Sequence, residues 1–129
     1  MKRLVITAAA LLGLSAGLLG AFGAHGLKGV LTPEQLGSFE TGVRYQVYHA
    51  LALLGVAALF PVKVKIVKVI FTCFLAGTLL FSGSIYLLAC RDLLGDVQLA
   101  WLGPITPLGG LLLASGWVAM AIAGWKERG

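Results

Sequence analysis

Apolar residues along this chain fall into four long stretches separated by short polar segments. The first, Leu4–Ala24, contains no charged residue. The second grows out of a polar approach and is charge-free from Ala50 to Val62; the third is Ile66–Cys90, and the fourth begins between Leu99 and Leu108 and ends at Trp125. A helix needs about 20 residues to cross the hydrocarbon core of a bilayer, and each stretch can supply them. The pattern predicts an all-α, integral membrane four-helix bundle. It forms one transmembrane domain over residues 1–129, with spans at approximately 4–24, 42–62, 66–90 and 104–125.

Finer signals shape the ends of these elements. The start, MKR followed by an apolar run and AFGAHG, has the layout of a secretory signal peptide. Its apolar run exceeds the usual length of such a segment, so it is expected to stay as a true first helix. LTPEQ is a helix start: Thr32 suits the N-cap, Pro33 the first helical position and Gln35 the capping box. Beyond it, Leu36, Phe39, Val43 and Val47 recur at helical spacing, which predicts a short outer interfacial helix bending near Gly37 or Gly42 into the second span. Gly13 and Gly17 form a GxxxG pair, the small-residue spacing that lets membrane helices approach closely; Gly109, Gly116 and Gly110 offer the same on the fourth span. LGPITPLGG, with Pro104 and Pro107, predicts a broken entry to that span.

Composition agrees with a membrane setting. The 129 residues are 59% hydrophobic and 12% charged, against about 25% charged in soluble domains. The formal net charge of +5 raises nucleic-acid binding, but the basic residues are short flanks of apolar stretches rather than a patch, so no nucleic-acid partner is expected. They suit the lipid bilayer and its anionic headgroups. With four spans, Lys2, Arg3, Lys63, Lys65, Lys68, Lys126 and Arg128 share one side, against Lys28, Arg44 and Arg91 on the other. The positive-inside bias therefore places both termini in the cytoplasm. The segment from His25 to His49 and the loop from Arg91 to Thr106 then face outward together.

That outward segment, FGAHGLK followed by FETGVRYQVYHALALL, holds the candidate chemistry. Ionisable and polar groups beside membrane-spanning sequence are costly unless paired, and often mark function. At 100° per residue Tyr45, Gln46 and His49 can converge, with Tyr48 close by, while Arg44 points roughly 140° away from His49. Arg44 is expected to pair with Glu40, four residues earlier. Two readings stand. In one, Tyr45 and Tyr48 form an interfacial belt and His49 bonds to a neighbouring helix. In the other, His25, Tyr45, Gln46, Tyr48 and His49 line a polar ligand pocket at the outer leaflet. Bis-histidine haem would need His25 and His49 opposed across a cavity. Cys73 and Cys90 lie roughly 25 Å apart along one helix and cannot bridge. With no CxxC and no Cys/His cluster, no metal site and no cofactor are expected. No nucleophile–base pair or phosphate loop marks catalytic residues.

GAFGAHGLK, FETGVRYQVYHALALL, FSGSIYLLA and GPITPLGGLLLASGW, taken together and in order, resemble the domain-of-unknown-function family 423. The resemblance spans nearly the whole chain, and marks Gly23, His25, Gly26, Tyr45, Gln46, Tyr48 and His49 as positions matching the family's motifs. It implies a small four-helix protein of the bacterial inner (plasma) membrane and supplies no activity. The expected function is non-enzymatic: binding of a lipid, a quinone-like amphiphile or a partner membrane protein at the outer face. A small oligomeric carrier or channel, and a histidine-based enzyme or electron-transfer subunit, are the alternatives. A homo-oligomer fits the small size.

Overall fold

The computed structural model describes residues 1–60, 65–95 and 98–126. Four helices account for most of them: α1, Lys2–His25; α2, Pro33–Leu59; α3, Lys65–Ala89; and α4, Ile105–Lys126. Each packs against the next in sequence, α1 on α2, α2 on α3 and α3 on α4. Short connections force neighbours to run antiparallel, so the chain goes up and down four times. Val5 near the start, Ala57 and Val67 flanking the second connection, and Ala123 near the end all belong to one buried cluster. Both termini therefore lie at one end of the bundle. At the other end Leu27, Leu31, Phe39 and Ala89 form a second, smaller core.

α1, α3 and the helical stretch Ala100–Lys126 are each long and apolar enough to cross a membrane. α2 has 27 residues, about 40 Å of helix, but its first half is polar. Its start follows its sequence: the Thr32 hydroxyl accepts from the Gln35 N–H at 3.1 Å, the Gln35 side chain accepts from the Thr32 N–H at 3.0 Å, and Pro33 occupies the first turn. The expected short interfacial helix is not a separate element. It is the beginning of α2, which continues unbroken through Gly37 and Gly42. Gly42 serves packing rather than bending, since a Cβ there would stand 2.7 Å from the ring of Tyr86. The expected end of the second span at residue 62 lies outside the described residues.

Small residues bring α4 onto α3. A Cβ on Gly109 would come within 2.5 Å of the Phe81 backbone nitrogen, and one on Gly116 within 2.6 Å of the Phe74 ring. Gly13 and Gly17 behave differently. A Cβ on either would meet nothing within 4 Å, so this pair makes no packing face against the other described helices. The face of α1 that meets the bundle carries Val5, Ala9, Leu12, Ala16 and Gly23 instead. Entry to α4 is irregular, as the prolines predict: a single 3₁₀ turn at Ala100–Leu102 precedes Pro104, and Pro107 sits in the first helical turn, where a missing N–H costs nothing.

Candidate functional site

Gln46 is 5% exposed and stands midway along α2, where α1, α2 and α3 meet. Its amide nitrogen donates to the Leu12 carbonyl at 2.9 Å and to Ser15 Oγ at 2.6 Å, both on α1. Its amide oxygen accepts from the Tyr86 hydroxyl of α3 at 2.6 Å. One turn toward the start of α2, Ser82 Oγ donates to the Gly42 carbonyl at 2.7 Å. Tyr86 also packs its ring on Phe39, centroids 5.0 Å apart. Gln46 is thus a clasp between three helices, with three of its hydrogen-bonding positions filled.

His49, 3% exposed, turns to a different interface. Its Nδ1 lies 2.7 Å from the Tyr45 carbonyl, and the indole N–H of Trp117 donates to its Nε2 at 3.0 Å. A carbonyl can only accept and an indole N–H can only donate, which assigns the neutral tautomer with hydrogen on Nδ1. The ring meets Phe74 and Trp117 edge-on, centroids at 5.2 and 5.8 Å. Both nitrogens are occupied within the chain. Tyr45 and Tyr48 face outward, with Tyr45 also resting on Phe81 at 4.8 Å.

The five sequence candidates therefore do not line one pocket. Gln46 serves α1 and α3, while His49 serves α3 and α4. His25 is exposed at the end of α1. Gly23 lies against Phe39 and Ser15 against Gln46, which puts His25 level with the first turns of α2, roughly 18 Å along the axis from His49. The two imidazoles do not oppose each other across a cavity in this chain. Glu40 and Arg44 approach to 3.9 Å on the exposed side of α2, a surface pair of small energetic weight.

The polar end of the bundle does hold a cavity, beside the cluster rather than within it. About 640 Å³ of space lies between the start of α2, the end of α3 and the start of α4. Thr32, Glu34, Gln35, Ser38, Arg91 and Thr106 supply its polar lining, and Ile85, Leu88, Ala89 and Pro107 its apolar wall. A hydrogen bond from Gln35 Nε2 to Asp92 Oδ2, 2.9 Å long, ties the first turn of α2 to the 3₁₀ turn at Arg91–Leu93. Thr106 and Ser84, hydroxyls 2.5 Å apart, join α4 to α3 below it. Among the described residues Arg91 has no carboxylate within ion-pair distance. Glu34, Gln35, Arg91 and Thr106 were absent from the sequence candidates. The only signal for them was the topology that sets the two polar segments on one face.

A family model described as "Protein of unknown function (DUF423)" matches residues 19–110. A "UPF0382 membrane protein" of Haemophilus influenzae is 38% identical over 128 residues, covering 99% of this chain and 98% of the relative. "UPF0382 membrane protein YwdK" of Bacillus subtilis is 43% identical over 110 residues, 84% of this chain and 85% of the relative. "UPF0382 inner membrane protein YgdD" of Escherichia coli K12 is 39% identical over 122 residues, 94% of this chain and 88% of the relative. No solved structure matches the chain.

Proposed function

We propose that this chain, which belongs to the DUF423 family, is a small multi-pass inner-membrane protein that binds the headgroup region of a phospholipid at the outer end of its bundle. The observation that carries this reading is the cavity of about 640 Å³ with Arg91 and Glu34 at its polar side and Ile85, Leu88 and Pro107 at its apolar side. Its volume falls within the range of roughly 300–1,000 Å³ typical of small-molecule sites. A guanidinium without a carboxylate partner among the described residues suits a phosphate, which it can hold through two parallel hydrogen bonds. Ile85 and Leu88 of α3 and Pro107 of α4 form its apolar side, against which the first carbons of an acyl chain would rest. A binding role is favoured over a catalytic one because the buried histidine of the cluster has both nitrogens engaged in holding helices together.

Native mass spectrometry of the detergent-purified chain, titrated with phosphatidylethanolamine and phosphatidylglycerol, tests the reading. One lipid per chain should survive gentle activation. Arg91→Gln should weaken its retention about tenfold or more, the scale of a lost charge-assisted hydrogen bond, and Thr106→Leu, which narrows the cavity, should reduce it too. Lipid retention equal in both variants and the parent would overturn the proposal. Solute flux through the purified chain in liposomes would favour the carrier alternative.

A further inference from the structure

A second opening lies at mid-span, far from Arg91. α1 and α3 both pack on α2, and between them they leave a cleft of about 220 Å³ whose floor is Gln46. Leu12 and Leu79 supply apolar wall, and Thr78 and Tyr86 lie on the α3 side. Leu79, at the rim, is 59% exposed, so the cleft opens sideways toward lipid.

The donors around this cleft are committed, with one exception. Gln46 gives its amide hydrogens to Leu12 and Ser15, Tyr86 gives its hydroxyl hydrogen to Gln46, Ser15 donates to the Leu11 carbonyl, and Ser82 to the Gly42 carbonyl. The exception is Thr78. The residue is 2% exposed, and its hydroxyl has no hydrogen-bond partner among the described residues. Hydroxyls in helices ordinarily return to the carbonyl one turn earlier, as Ser15, Thr41 and Ser115 do here. Thr78 does not.

We infer that this cleft is a binding site for the ring of a membrane-dissolved carbonyl compound, of the benzoquinone class, whose carbonyl oxygen accepts from Thr78. Four features point to that chemistry. The free group is a donor and the surrounding donors are spent, so the ligand must bring an acceptor. Thr78 sits in the middle of α3, a depth that a charged lipid headgroup avoids and a neutral ring does not. The volume is below the roughly 300 Å³ of a full small-molecule pocket, enough for a ring whose tail stays in the lipid. An acyl chain would fill the same space and leave the Thr78 hydroxyl without a partner, which buried polar groups rarely are.

The test uses the full chain in nanodiscs of phosphatidylcholine and radiolabelled decylubiquinone as the probe, corrected with empty nanodiscs. One saturable site per chain is expected. Thr78→Val removes the donor at nearly constant shape and should weaken binding about fivefold, one neutral hydrogen bond; Thr78→Ser should restore it. Gly83 borders the cleft, and a Cβ there would meet nothing within 4 Å. Gly83→Leu should therefore fill the space and abolish saturable binding without a fall in Tm. Arg91→Gln, which addresses the other cavity, should leave probe binding unchanged. Binding no greater than in empty nanodiscs overturns the inference, as does saturable binding that survives both Thr78→Val and Gly83→Leu.

Discussion

Gln46 holds three helices with one amide group, and that arrangement sets what its loss should do. Gln46→Leu removes the three bonds and takes away the acceptor of the half-buried Tyr86 hydroxyl. Hydrogen bonds between membrane helices average about 0.6 kcal/mol and reach about 1.7 kcal/mol, so the substitution should cost about 1–2 kcal/mol in reversible unfolding of the detergent-solubilised chain. Tyr86→Phe should cost less, since it keeps the ring contact with Phe39. The double variant should fall short of the sum of the two, because one bond is shared and is lost only once. Strict additivity would show that the 2.6 Å contact contributes nothing. The polar character of positions 46 and 49 is plain in the sequence, and so is the cost of burying them. Their partners are not. Tyr86 and Trp117 are 40 and 68 residues away, and a polar residue aimed at a helix has the same sequence context as one aimed at a ligand.

The helices themselves were far more legible than their contacts. Long charge-free runs, a capping box at Thr32–Gln35 and two prolines at the entry to α4 translate directly into helix positions, because backbone in lipid must satisfy its own hydrogen bonds. Which glycines face a neighbour is different information. GxxxG at Gly13 and Gly17 has the same spacing whether it meets a helix or lipid, and here it meets none of the other described helices, whereas Gly109 and Gly116 press against α3. The continuity of α2 was hidden for a related reason: Gly42 reads as a weak point, but its missing side chain makes room for Tyr86. A paired substitution separates the two kinds of glycine. Gly109→Leu must push α4 from the Phe81 backbone and should destabilise the chain by about 1–3 kcal/mol, the usual cost of overpacking. Gly13→Leu enters open space and should change stability by no more than about 0.5 kcal/mol. Thermal unfolding of both variants checks this; equal losses would mean that the outer face of α1 is packed against a second copy in the solubilised protein.

Four antiparallel helices put both termini, and with them Lys2, Arg3, Lys65, Lys68 and Lys126, at one end of the molecule. Lys28, Arg44 and Arg91 occupy the other end together with Glu34, Glu40 and Asp92. Orientation follows Lys and Arg near the span ends and is little affected by carboxylates, so the contrast to weigh is five basic residues against three among those described. That bias argues for cytoplasmic termini and an Arg91 cavity facing outward. A green fluorescent protein fused after Gly129 should then fluoresce, alkaline phosphatase fused there should be inactive, and phosphatase inserted after Gly95 should be active. With Lys63 and Arg128 counted from the sequence the contrast is seven to three, so neutralising Lys2, Arg3, Lys126 and Arg128 together leaves three against three and should produce a mixed population. The result also decides which lipids the Arg91 cavity meets. An active phosphatase at the C-terminus would turn that cavity toward the anionic cytoplasmic leaflet, and Arg91 would then face the leaflet richest in competing phosphates. The mid-span cleft is indifferent to this choice: a neutral ring reaches Thr78 from the hydrocarbon, through a lateral opening that has no inside or outside.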